Sequence, residues 1–182
     1  EMVERDWSSD VCSSDLAAGH PGRVRTVTTA GTSAGGDVAM ADAIAAAIAA
    51  YGVREFYAET IPQFSYSAGT PTEVLEAAIE RASAPGPEVA TQIAHAAFGT
   101  DAAVIPAPLA VPVLVLGGAD DQTCPPERVA QLAERFGAEP TIVPGLGHLP
   151  HLEDPARLAG LLRTFWTAPG RRSHAADTTG QE

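Results

Sequence analysis

Three stretches of the sequence predict an α/β protein with a parallel sheet and a helical insert. Residues 111–116, VPVLVL, form a near-continuous apolar run, the pattern of a strand covered on both faces. A helix signal and a second short apolar run follow it directly, which is the order of a βαβ crossover. Between residues 36 and 104 the periodic stretches have helical spacing, and none has the look of a buried strand. At 182 residues and 45% hydrophobic, the chain has the size and apolar content of about one domain.

The elements follow in chain order. Residues 1–16, EMVERDWSSDVCSSDL, repeat Ser-Ser-Asp at 8–10 and 13–15 and show neither helical nor strand periodicity. The run 6–16 resembles one reading frame of a sequencing-library adapter, so a non-native leader is expected there and is set aside from the fold. It has no apolar segment of the kind a signal peptide needs. Residues 24–29, VRTVTT, are a short β-prone run ended by the glycines of 31–36. An Ala-rich helix is expected over about 38–50, closed by Gly52, and residues 53–58, VREFYA, also read better as helix than strand. Thr70 as N-cap, Pro71 at the first helical position and Glu73 form a capping box for the next helix, whose face is Val74, Leu75, Ala78, Ile79 and Ala82. A further helix, about 87–98, carries Val89, Ile93 and Ala97 on one stripe and stops at Gly99. After the strand at 111–116, Pro126 opens a helix that Gly137 ends, and residues 141–143 supply the next strand. Asp154 caps a last helix with Pro155 at its first position and Leu158, Leu161, Leu162 and Phe165 at helical spacing. Residues 168–182 are polar and unpatterned, as expected of a loose tail.

Charge narrows the partners. Twenty-three acids against 11 basic residues give a net charge of −12, and the basic residues are all Arg with no basic run. Duplex binding needs clustered cations to release counterions, so nucleic acid is an unsuitable partner. The longest uncharged stretches are broken by Pro106, Pro108 and Pro112, which no membrane-spanning helix would tolerate, and no membrane partner is expected. Two cysteines, Cys12 and Cys124, cannot form a disulfide framework, and no Cys/His spacing suggests a zinc site. A reducing, cytoplasmic compartment is the default, with any upstream targeting signal outside view.

In open parallel sheets, reactive groups sit beyond the carboxyl ends of strands. Two loops occupy such places: 117–126, GGADDQTCPP, and 145–155, GLGHLPHLEDP. An acid after one strand and a His after the next can converge, the carboxylate accepting from Nδ1–H and supporting the imidazolium formed when the ring takes a nucleophile's proton.

These two loops, in this order and spacing, resemble the C-terminal part of the α/β-hydrolase fold family, which shows an apolar strand, G-x-x-D with Pro shortly after, a helix, a strand, then G-x-G-H and L-E-x-P. The likeness covers residues 17 to about 166 and is greatest to lactone- and ester-hydrolysing members with small helical caps. It implies a partial hydrolase sheet whose N-terminal strands are missing. Residues 17–36 would be a core strand segment, 37–103 the helical cap, 104–167 the C-terminal part of the core and 168–182 the tail. It implies Asp121 as the catalytic acid, with Asp120 as its close competitor, and His148 as the base. His151 and Glu153 are expected to shape the entry to the last helix rather than do chemistry, and Cys124 to line the site, no activating group being evident beside it in the sequence. No metal or organic cofactor is implied; a small molecule is the expected substrate.

Residues 31–35, Gly-Thr-Ser-Ala-Gly, spell a literal G-x-S-x-G between a strand and a helix, the setting of a nucleophile elbow. The order of elements opposes that role, because the fold requires another strand between the elbow helix and the cap. Residues 17–29 resemble instead the end of the elbow helix and the strand after it. The nucleophile is therefore expected upstream of residue 17, with Ser33 the alternative, and the chain alone is expected to be inactive. The resemblance implies acyl transfer from an ester or lactone followed by hydrolysis. C–C bond hydrolases, haloperoxidase-like members, Asp-nucleophile dehalogenases or epoxide hydrolases, and a non-catalytic binding protein share the same frame.

Overall fold

A computed structural model describes residues 15–33, 35–99 and 107–168. Residues 1–14 of the expected leader, Ala34 of the G-x-S-x-G run, the stretch 100–106 and residues 169–182 of the expected tail lie outside the described residues.

Residues 15–19 are helical, with Ala17 fully buried, and a 3-10 turn at Pro21–Arg23 leads into the first strand. The strands are β1 (Val27–Ala30), β2 (Val113–Gly118) and β3 (Pro140–Val143). They form a parallel sheet in the order β1-β2-β3, with Val27 opposite Val113 and Gly118 opposite Val143. The expected α/β architecture, a partial parallel sheet with a helical insert, is what forms. β2 is central, which explains its unbroken apolar run: Val115 and Leu116 are both fully buried. β1 begins three residues later than the β-prone run that announces it.

The crossover helix α5 (Pro126–Phe136) packs on β2 through Val129, Leu132, Ala133 and Phe136, at the i, i+3, i+4, i+7 spacing of one helix face. Gly117 lets it approach closely: a Cβ there would come within 2.6 Å of Val129. Gly137, in the left-handed region at φ 69°, ends α5 as expected. The last helix, α7 (Pro155–Thr167), opens on Asp154, whose side chain accepts from the Arg157 N–H at 2.9 Å. Phe165 is buried and Leu158, Leu161 and Leu162 are half-buried.

Between β1 and β2 lies the insert: α1 (Val38–Tyr51), α2 (Val53–Thr60), a π-helical turn (Ile61–Ser65), α3 (Thr72–Ser83) and α4 (Pro87–Gly99). Two sequence expectations change here. α4 buries Ala90 and Ala94, whereas Val89 and Ile93 are 48% and 50% exposed. α1 and α4 pack against each other, with Ala41 and Ile48 buried on α1 and Ala90 and Ala94 on α4, and the bulkier stripe of α4 is turned outward. Thr70 does not cap α3, which begins at Thr72 after Pro71; its hydroxyl is held by a carboxylate from the other end of the chain, Glu153.

Candidate active site

The site forms where the loops after β2 and β3 meet. They are docked by backbone bonds: the Ala119 N–H donates to the Val143 carbonyl at 3.0 Å and the Asp120 N–H to the Leu146 carbonyl at 2.9 Å. Gly118 makes that approach possible, because a Cβ there would fall on the Leu146 and Gly147 carbonyls.

Asp121 is fully buried. Its Oδ1 accepts from the N–H groups of Thr123 at 2.9 Å and Cys124 at 2.8 Å, an Asx-type turn that fixes the carboxylate plane. Its Oδ2 lies 2.9 Å from His148 Nδ1. An ionised carboxylate only accepts, so Nδ1 carries the proton and Nε2 keeps its lone pair. The His148 side chain is 26% exposed. Among the described residues none hydrogen bonds to Nε2. The two residues singled out from sequence are thus in contact. Asp120 is exposed, and only its backbone N–H joins the loop docking. His151 is exposed on α6 (Pro150–Glu153).

The end of β1 also reaches this place. Gly31, at φ 64°, lies against the imidazole, and a Cβ there would stand 3.0 Å from His148 Nδ1 and 3.1 Å from Cε1. The first glycine of G-x-S-x-G makes room for the histidine. Ser33 has its hydroxyl 3.1 Å from the Gly35 carbonyl as donor. Among the described residues no non-glycine has a positive φ, so Ser33 lacks the strained backbone of a nucleophile elbow. α1 begins only at Val38, five residues beyond it.

Two contributors escape sequence reasoning. One is the insert segment 61–67: the Phe64 carbonyl accepts from the N–H groups of Gln122 and Thr123, both at 3.1 Å, and the Ser65 carbonyl from the His148 N–H at 2.8 Å. The other is Glu153, whose carboxylate accepts from the Gly147 N–H at 2.9 and 3.1 Å. The segment has no signal in the sequence, and Glu153 stood there only as the acid of L-E-x-P, expected to shape the entry to the last helix. Burial pushes the Tyr66 phenol above its usual range, with Arg81 opposing and Glu153 adding to the rise. Among the described residues no three His, Cys, Asp or Glu side chains group to hold a metal ion, and no helix is long and apolar enough to cross a membrane.

Residues 7–161 match the model of the alpha/beta hydrolase family. No curated protein sequence matches the chain. Among solved structures, a thermophilic esterase from Thermogutta terrifontis is 24% identical with TM-score 0.68, over 82% of this chain and 58% of its own. An enol-lactonase from Burkholderia xenovorans LB400 is 21% identical with TM-score 0.75, over 87% of this chain and 62% of its own. A hydrolase from Pseudomonas aeruginosa PA01 is 25% identical with TM-score 0.67, over 87% and 62%. The chain spans less than two thirds of the length of these structures.

Proposed function

The chain belongs to the alpha/beta hydrolase family, and from that premise we propose that it is the acid- and base-bearing part of a serine-type hydrolase of esters or lactones. Asp121 is the acid and His148 the base, and the nucleophile is supplied from outside the described residues, upstream of residue 17. In this reading residues 17–36 and 104–167 belong to the catalytic core and 37–103 form its cap. Residues 1–182 by themselves are inactive.

One observation carries the reading: a fully buried carboxylate, held by two N–H donors, faces Nδ1 of a partly exposed histidine and leaves Nε2 open. The nucleophile's oxygen attacks the ester carbonyl while its proton passes to Nε2; Asp121 stabilises the imidazolium at 2.9 Å. The same proton then goes to the leaving alkoxide, giving an acyl-enzyme. Water, its proton taken by Nε2, hydrolyses that intermediate and restores the nucleophile's hydrogen. The likeness in fold to an esterase and an enol-lactonase favours carbonyl esters as substrates.

The product of the complete reading frame is expected to hydrolyse p-nitrophenyl acetate or a simple lactone, and Ser33→Ala to keep kcat within about twofold, because the Ser33 hydroxyl only ties its own loop. Loss of hydrolysis in Ser33→Ala would return the nucleophile to this chain. Absence of hydrolysis in the complete protein would favour a binding role for the same fold.

A further inference from the structure

Among the described residues, the backbone hydrogen bonds between the insert and the core all fall at one place, and that place is the acid–base pair; elsewhere an ion pair links Asp37 to Arg128 at 3.7 Å. Residues 64–70 run as a strap across both loops that carry Asp121 and His148. On the acid side, the Phe64 carbonyl takes the Gln122 and Thr123 N–H groups and also the Thr123 hydroxyl at 3.1 Å; Ser65 Oγ lies 3.3 Å from Thr123 Oγ1. On the histidine side, the Ser65 carbonyl takes the His148 N–H at 2.8 Å. Tyr66 lies directly on Gly147, where a Cβ would stand 2.8 Å from its backbone.

Glu153 closes this circuit. Besides the Gly147 N–H on both oxygens, its Oε2 accepts from the Ser67 N–H at 2.9 Å and the Thr70 hydroxyl at 3.2 Å. One half-buried carboxylate therefore joins Gly147, the residue before His148, to two points of the strap, and among the described residues no basic side chain pairs with it. Bonds from N–H to an ionised acceptor are shorter and stronger than neutral ones, so the junction is stiff. An apolar cluster of Ile61, Tyr66, Leu149 and Leu152 covers it.

We infer that Glu153 is a positioning residue that, through the strap at 64–70, holds His148 in register with Asp121, so that the insert is part of the acid–base geometry as well as its cover. The inference rests on the reading of His148 as the base. It follows from where the donors come from: the strap fixes the His148 N–H and the acid loop, and Glu153 fixes the strap to Gly147, the residue before His148. Glutamine at this position has the same shape, but one acceptor oxygen becomes an NH2 group that would face the N–H donors of Gly147 and Ser67. That change releases the junction without opening a cavity.

In the product of the complete reading frame, Glu153→Gln is expected to lower kcat for p-nitrophenyl acetate by roughly 10- to 100-fold, the scale set by an ångström of misplacement. KM should stay within twofold, and the downfield NMR resonance of the His148 Nδ1–H should weaken or vanish. Ile48→Ala, a core change on α1 outside the clusters that line the junction and the acid loop, should lose thermal stability yet keep that resonance and kcat. Thr70→Val, which removes only the hydroxyl donor, should repeat the loss on a smaller scale of about threefold and carries the test if Glu153→Gln does not fold. Wild-type kcat and an unchanged resonance in the Glu153 and Thr70 variants would overturn the inference. If His148→Ala in the same protein also kept its activity, the reading of the base would fall with it; if only that variant were dead, the positioning role alone would fail.

Discussion

Asp121→Asn in the complete protein is expected to reduce kcat for ester hydrolysis by roughly 10⁴-fold with little change in fold, as the loss of the acid does in serine proteases. The reason lies in the two sets of partners around this side chain. Oδ1 accepts two backbone N–H groups, from Thr123 and Cys124, so an asparagine would place its carbonyl oxygen there. Its NH2 would then point at His148 Nδ1, where Oδ2 now lies at 2.9 Å. A donor facing Nδ1 makes that nitrogen the acceptor and moves the ring proton to Nε2. The ring would stay in place with the wrong tautomer, unable to take the nucleophile's proton. A ten-thousandfold loss corresponds to about 5 kcal/mol of transition-state stabilisation. Steady-state kinetics alongside circular dichroism check it: a folded variant within tenfold of wild type would remove Asp121 from the mechanism and direct attention to Asp120.

Gly118→Ala is expected to be the most damaging single methyl group in the core. Its Cβ would meet the carbonyl oxygens of Leu146 and Gly147, which are backbone atoms and cannot rotate aside. The Leu146 oxygen is also the acceptor for the Asp120 N–H, so relief of the clash would part the two loops. Overpacking of a core costs about 1–3 kcal/mol and occasionally more. With backbone on both sides the upper end applies, and about 3 kcal/mol lowers Tm by roughly 6–12 °C in a domain of this size. Gly160→Ala is the control: nothing lies within 4 Å of its Cβ, in the middle of α7. There alanine should leave Tm unchanged or raise it, since glycine inside a helix is less stable than alanine by about 0.5–1 kcal/mol. Thermal denaturation of both variants decides it, and a Gly118→Ala protein as stable as wild type would mean that the two loops are not docked as described.

The residues that could be read from sequence are those whose neighbours are set by the local chain. The run at 111–116 announced a central strand because a strand buried on both faces has no polar alternation. Asp154 and Gly137 announced helix ends because a cap is a contact within one turn. That an acid after β2 and a histidine after β3 could meet was legible before any fold was seen, because successive parallel strands place their following loops side by side; the choice of Asp121 over Asp120 was implied by the family resemblance alone. The strap at 64–70 could not, since its partners lie about 60 to 90 residues away in the chain and its bonds use backbone carbonyls that any residue provides. Thr70 shows the same limit: a local capping pattern lost its hydroxyl to a distant carboxylate. In α4 the stripe of larger residues pointed to a buried face, yet close packing against α1 favoured the alanines. Gly31 was read as one end of a nucleophile motif, while its positive φ and its place against the imidazole serve the histidine.

The most direct test of the acid–base assignment is the rate at which a fluorophosphonate ester labels the product of the complete reading frame, with and without His148→Ala, followed by peptide mapping. One labelled serine is expected, located ahead of residue 17, with labelling slowed by a factor of at least about 10³ when His148 is removed. Label on Ser33, or equal labelling rates in the two proteins, would contradict it.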